Sequence, residues 1–159
     1  MQPSSTLSRF LPYQLSITSN AVSGRIAMEY RSRFGLSVPE WRVMAVLGDA
    51  GALTQRDLTR RTLMDKVAVN RACKVLEDRG YASRTPNEQD GRSHLLELTE
   101  AGHTIHSQIM PLAKDMEQRL FSCFDESEMD QFRGLLGRLH GQVDEFIDEE
   151  NDTGNFGVK

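Results

Sequence analysis

Two sets of side chains in this sequence suit the chemistry of a polyphosphate and its bases. The first is Lys66, Val67, Asn70, Arg71 and Lys74, all within one short segment. Ammonium and guanidinium groups neutralise phosphates and release their counterions, and an amide reads donors and acceptors in a groove. The second set is Arg84, Asp90, Arg92 and Ser93, around a run rich in Pro, Asn and Gly. A guanidinium on a narrow loop suits a minor groove, where negative potential concentrates. Asp90 stands two residues from Arg92 and can hold it in position, while Arg84 either contacts phosphate or pairs with Asp90. Upstream, Thr54 and Gln55 lie at a helix start, where backbone N–H groups can take a phosphate.

The elements that must position these groups follow from local signals. Thr54-Gln55-Arg56-Asp57 reads as a capping box: the Thr54 hydroxyl takes an orphan N–H, and Asp57 reaches back. It predicts a short helix from Thr54 to about Arg61 with Leu58 facing inward. After a turn at Thr62-Leu63-Met64, Asp65 caps a second helix to Arg79, and Gly80 supplies the left-handed stop. Ala68, Ala72, Val75 and Leu76 form its predicted buried stripe. The period then changes. Tyr81–Thr85 and His94–Leu98 read as strands, joined by a loop containing Pro86 and Asp90-Gly91. A short helix, a tight turn, a longer basic helix and a hairpin make a winged helix-turn-helix, whose second helix enters a major groove.

The segments MDKVAVNRACKVLEDRGYASR and NEQDGRSHLLELTEAG resemble the MarR (multiple antibiotic resistance regulator) family of bacterial winged-helix transcription factors. Wings of that family read Asp-x-x-Asp-x-Arg, then a strand and Leu-Thr-x-x-Gly. Asp90, Arg92, Leu98, Thr99 and Gly102 match; Asn87 stands where the first Asp is common, which removes one wing salt bridge. The resemblance covers roughly residues 7–148. It implies a homodimer, double-stranded operator DNA as partner, and commonly an aromatic or phenolic anion as effector.

A net charge of −4 argues against DNA until it is divided along the chain. Residues 54–92 carry nine Lys/Arg and six Asp/Glu, a local +3; residues 1–53 carry +2; residues 93–159 carry −9. The acid is concentrated where it can face away from phosphate, and the base where the reading elements lie. No apolar run approaches a membrane span and no leader pattern opens the sequence, so a cytoplasmic protein without membrane association is expected. Cys73 and Cys123 make no metal-spaced cluster, and His103 and His106 lack a third ligand, so neither metal nor cofactor is expected. The sequence contains no nucleophile elbow, no phosphate-cradling glycine loop and no paired catalytic carboxylates, which excludes the common enzyme classes.

The rest of the chain is predicted to be mainly helical. A first long helix covers residues 6–34, its regular part starting near Leu11 because of Pro12 and ending at Gly35. Ser37-Val38-Pro39-Glu40 caps a helix to Leu47, which Gly48–Gly51 breaks; Trp41, Met44, Ala45 and Leu47 are core candidates. Ala52-Leu53 reads as an edge strand joining the wing. Thr99 caps a helix to about Phe124 with Pro111 inside it, predicting a kink or a lost hydrogen bond. A last helix runs from Ser127 to about Glu149, followed by a polar, disordered tail. By role, residues 1–36 and 99–150 are dimerisation helices, 37–98 the DNA-reading region and 151–159 the tail, within one structural domain.

The first and last helices are apolar over wide faces that one small winged-helix core cannot cover. A second copy, with terminal helices interlocked, covers them and sets two reading helices on one face of DNA. Between head and dimer helices, Tyr13, Ser16, Asn20, Arg25, Trp41, Arg42, His103 and His106 are candidates for an effector pocket, suited to an aromatic carboxylate or its CoA thioester. Their structural alternative is a core Trp41 and salt-bridged arginines. The expected function is a homodimeric repressor released from a pseudo-palindromic operator by such an acid. The alternatives are a cysteine-based redox regulator of the same fold and a winged-helix interaction module that does not bind DNA.

Overall fold

The structure is a computed structural model and describes residues 6–153, with side chains through Glu149. A 3-10 turn at Thr6–Arg9 precedes α1 (Leu11–Phe34). Pro12 sits at the start of α1, where its missing N–H costs nothing, and Gly35 ends it at φ 63°, donating its N–H to the Arg31 carbonyl. Ser37 and Glu40 then close a capping box at α2 (Val38–Ala50): the Glu40 N–H donates to the Ser37 hydroxyl, and the Ser37 N–H to the Glu40 carboxylate at 2.9 Å. The helix does not break at Gly48 as expected. Gly48 lies inside it because α5 crosses there: a Cβ would sit 2.4 Å from Nε2 of His106. The stop is Gly51, at φ 79°.

β1 (Leu53–Thr54), β2 (Ala82–Pro86) and β3 (His94–Leu98) form an antiparallel sheet ordered β1-β3-β2. Leu53 pairs with Leu96 and Ala82 with Leu98, so alternate residues of the wing face the core. The edge strand joins the wing as expected, one residue further on. Between these strands lie α3 (Gln55–Thr62) and α4 (Lys66–Asp78). Asp65 caps α4 by accepting the Ala68 N–H at 2.9 Å. At its other end the Tyr81 N–H reaches the Leu76 carbonyl and the Gly80 N–H that of Glu77, the paired bonds of a left-handed stop, with Gly80 at φ 74°. The buried stripe of α4 is Val69, Ala72, Cys73 and Leu76. Ala68 and Val75, expected there, are only half-buried. Their place is taken by residues that complete an i, i+3, i+4, i+7 face toward the core.

The core joins Tyr30 and Leu36 to Val43, Met44 and Leu47, to Leu58 of α3, to the α4 stripe, and to Leu96 and Leu98 of the wing. α5 (Glu100–Leu120) is bound on by Thr99, whose N–H donates to the Tyr81 carbonyl and whose hydroxyl donates to that of Gly80 at 2.6 Å. Gly102 is required by this close approach, since a Cβ would fall 2.0 Å from the Tyr81 carbonyl oxygen. α5 continues through Pro111, which leaves the Ser107 carbonyl without its intrahelical donor.

The chain divides into two compact units between Met116 and Glu117, inside α5. In the second unit α5 ends at Leu120, not Phe124. Phe121, Phe124 and Phe132 meet at centroid distances of 5.9–6.3 Å instead. Asp125 and Glu128 cap α6 (Glu126–Thr153) reciprocally, at 2.8 and 3.0 Å. α6 extends over positions 151–153, where a disordered tail was expected; residues 154–159 lie outside the described ones.

Candidate nucleic-acid interface

The side of the molecule that carries the predicted DNA-contacting residues is built on Thr54. Its hydroxyl accepts the Asp57 N–H at 3.1 Å and donates to the Asp57 carboxylate at 2.9 Å. Asp57 therefore reaches the hydroxyl rather than the backbone N–H expected of a capping box, and also pairs with Arg60 at 3.3 Å. The Thr54 side chain is fully used, so only the opening N–H groups of α3 are left for an anion.

Two clefts meet at this point. One, of about 460 Å³, lies between the start of α3 and the wing, and Arg56, Arg84, Arg92 and His94 line it. The other, of about 480 Å³, lies between α3 and α4, with Arg56, Thr59, Arg60, Lys66 and Asn70 on its walls. Gln55 and Arg56 belong to both, so the amino end of α4, the start of α3 and the wing tip share one surface. Gln55 and Asn70 are joined directly: the Gln55 amide donates to Asn70 Oδ1. Val67 is exposed on the first turn of α4. Lys74 forms an exposed pair with Asp78 at 3.4 Å.

Three expectations for the wing change. Asp90 does not hold the Arg92 guanidinium; its carboxylate accepts the Arg92 backbone N–H at 3.1 Å, which shapes the turn. Arg84 does not pair with Asp90 but with Glu77 of α4, at 2.7 and 2.9 Å through two nitrogens. This bond holds its guanidinium charged more firmly than usual and ties the wing to the reading helix. Asn87 replaces an ionic contact with neutral ones: its Nδ2 donates to Ser93 Oγ at 3.0 Å and its Oδ1 accepts the Gln89 N–H. Ser93 is thereby committed inside the loop. Among the described residues Lys66, Arg71, Arg92 and Arg56 have no acidic partner.

Arg56 and Arg79 escaped the sequence reading. Arg56 was legible, as an exposed cation just after a predicted cap. Arg79 was not: its guanidinium donates to the Phe34 and Gly35 carbonyls at 2.8 and 3.0 Å and lies 4.9 Å over the Tyr81 ring, partners more than forty residues away for the carbonyls. It closes the end of α1 onto the end of α4.

The family model described as the MarR family matches residues 34–93, from the end of α1 to the wing. The HTH-type transcriptional regulator YwoH of Bacillus subtilis is 26% identical over 132 residues, covering 83% of this chain and 95% of that one. A MarR/EmrR family transcriptional regulator from Acinetobacter sp. ADP1 has a TM-score of 0.82 at 28% identity, over 88% of this chain and 99% of that one. The family match, the homologues and the structural neighbours support a winged-helix regulator of the MarR family. Another of its solved structures, a cysteine-to-serine variant of MarR from E. coli complexed with operator DNA, has a TM-score of 0.73 at 25% identity, over 81% and 92% of the two chains. MarR-family proteins are regulators rather than enzymes, in keeping with a site made of cations and amides. No helix among the described residues is long and apolar enough to cross a membrane.

The candidate effector residues are less united. Trp41 and His106 share a cavity of about 10 Å³ with Met44, Ala45, Ile109 and Met110, room for about one water. Trp41 also packs on Tyr30 at 5.3 Å, and its buried indole N–H has no partner. Arg42 donates to the Ser23 hydroxyl at 3.4 Å, and Arg25 pairs with Glu29 at 3.1 Å. Tyr13, Ser16 and Asn20 lie exposed on α1, and His103 is exposed on α5. Burial, then the neighbouring His103, lowers the His106 pKa, against an opposing pull from Asp49. Cys73 is buried, which pushes its thiol up to about 11, while Cys123 is exposed. No group of three potential metal ligands occurs among the described residues.

Proposed function

We propose that this protein is a homodimeric repressor whose α4 helices enter successive major grooves of a pseudo-palindromic operator, with the Arg92 wings in the flanking minor grooves. The observation that carries this reading is the single surface shared by α3, α4 and the wing, on which Arg56, Lys66 and Arg92 keep their charge unneutralised. Cations held without internal partners are costly by mutual repulsion and gain most from phosphate. Lys66, Asn70, Arg71 and Lys74 contact the duplex from α4, and Gln55 and the α3 N–H groups contact the backbone. Arg84, Asp90 and Ser93 act indirectly, by shaping and anchoring the wing.

The dimer is supported by exposed apolar surface. Leu135, Leu136, Leu139, Val143, Phe146 and Ile147 of α6 are each more than 40% exposed, as are Leu7, Phe10, Leu11 and Leu15 at the start of the chain. Surface of this kind marks an interface. The effector is a small aromatic acid or its thioester, entering beside Trp41 and His106. The free indole N–H supplies a donor there, and the cavity must open to admit it, so the acid would favour a conformation other than the present one and shift the operator equilibrium by that difference.

The test is a mobility shift with the full chain on the DNA upstream of its own coding region, at low salt, with and without hydroxybenzoates and their CoA thioesters. Retardation that the acid reverses is expected. Absence of any shift for the wild type at low salt would remove the DNA reading; a shift unaffected by every acid would remove the effector.

A further inference from the structure

We propose that Gln55 is a positioning residue that turns Asn70 into a donor-only reader, so that each reading helix favours guanine over adenine at one base pair. This inference rests on the DNA reading above and adds the base it selects. A free asparagine amide has a carbonyl acceptor and an N–H donor pair, and together they match adenine, which offers an N6–H donor and an N7 acceptor. Here the pairing is pre-empted. Gln55 Nε2 donates to Asn70 Oδ1, which turns that oxygen toward α3 and takes one of its two lone pairs, while the Nδ2 hydrogens keep no partner among the described residues.

The backbone on both sides of this bond is fixed. Gln55 follows the Thr54 cap at the start of α3 and is half-buried; Asn70 stands in the first half of α4, one turn beyond Lys66, and is exposed. Two donors directed into a major groove meet two acceptors only on guanine, at N7 and O6. Thymine offers one acceptor, and the exocyclic amino groups of adenine and cytosine oppose a donor. The neighbouring cations Arg56, Arg60 and Lys66 add affinity along the phosphates without sequence information. Selectivity is thus assigned to a pair of neutral amides, one of which need not touch a base.

The experiment selects duplexes from a randomised library with the full chain, then measures affinity for duplexes differing at one base pair. Wild type should enrich guanine at one position of each half-site, about tenfold over adenine. Gln55→Ala frees the Asn70 carbonyl, and preference at that position should move to adenine. Gln55→Glu accepts from Asn70 Nδ2, turns the amide about and exposes its oxygen, so preference should move to adenine or cytosine. Asn70→Ala should erase discrimination there and leave the other positions unchanged. A merely structural Gln55 would instead weaken all duplexes alike. Identical preferences in wild type, Gln55→Ala and Gln55→Glu would overturn the inference while leaving DNA binding intact, as would Asn70→Ala with every position unchanged. A wild type that enriches no sequence would overturn both the inference and the DNA reading beneath it.

Discussion

Arg92 and Lys66 keep charges that no acidic side chain among the described residues neutralises, and Arg84 does not. Their variants should separate accordingly. Arg92→Ala and Lys66→Ala should each weaken operator binding about tenfold and lower the salt slope by roughly one. Arg84→Ala should cost affinity without that change in slope, because its guanidinium is spent on Glu77; salt titration of binding distinguishes the two. His106 gives a pH test. Its folded pKa lies below the ordinary 6.5, so on acidification the unfolded chain takes up the proton first. Stability should be full above about pH 6.5 and decline below it, until folded His106 itself protonates. His106→Gln should flatten that part of the thermal-midpoint profile. The cysteines give another: with its thiol buried and raised, Cys73 should resist alkylation in the native protein at pH 8 while Cys123 reacts. Fast labelling of native Cys73 would revive the redox reading. These residues were legible as types and positions, but their partners were not. Glu77 is seven residues from Arg84, and nothing local prefers it to Asp90, which is nearer in sequence and turned to the backbone instead.

At the scale of elements, caps and stops were the most legible features because they act over three or four residues. Ser37, Thr54, Asp65, Thr99 and Asp125 each accept the expected backbone N–H. Errors arose where a neighbour overrode local preference. Gly48 reads as a breaker but serves as a crossing point for His106, and the α4 stripe is set by which face α2 and the wing present. Gly102 is the sharpest case, since only its missing side chain lets α5 meet the Tyr81 carbonyl. Gly102→Ala should destabilise the fold by about 3 kcal/mol, measured by urea unfolding. Gly48→Ala should cost less, because an imidazole can swing aside where a backbone carbonyl cannot.

For the whole molecule, the exposed apolar faces of α6 and of the chain's start are the surface that the proposed dimer would cover. Sedimentation equilibrium should report a dimer at micromolar concentration. Leu139→Glu with Phe146→Glu should give monomers that bind single half-sites weakly, since joining two heads raises the effective concentration of the second. A wild-type monomer at high concentration would remove the symmetric arrangement and the two-groove reading with it.

The order of helices, the wing, the basic reading segment and the acidic end were determined by sequence alone, because periodicity, capping and charge are local and summed along the chain. Tertiary structure decided which cations stay free, which amide accepts from which, and where glycine is obligatory. Those depend on distances between residues far apart in the chain, such as Arg79 and the end of α1, and pattern carries no record of distance.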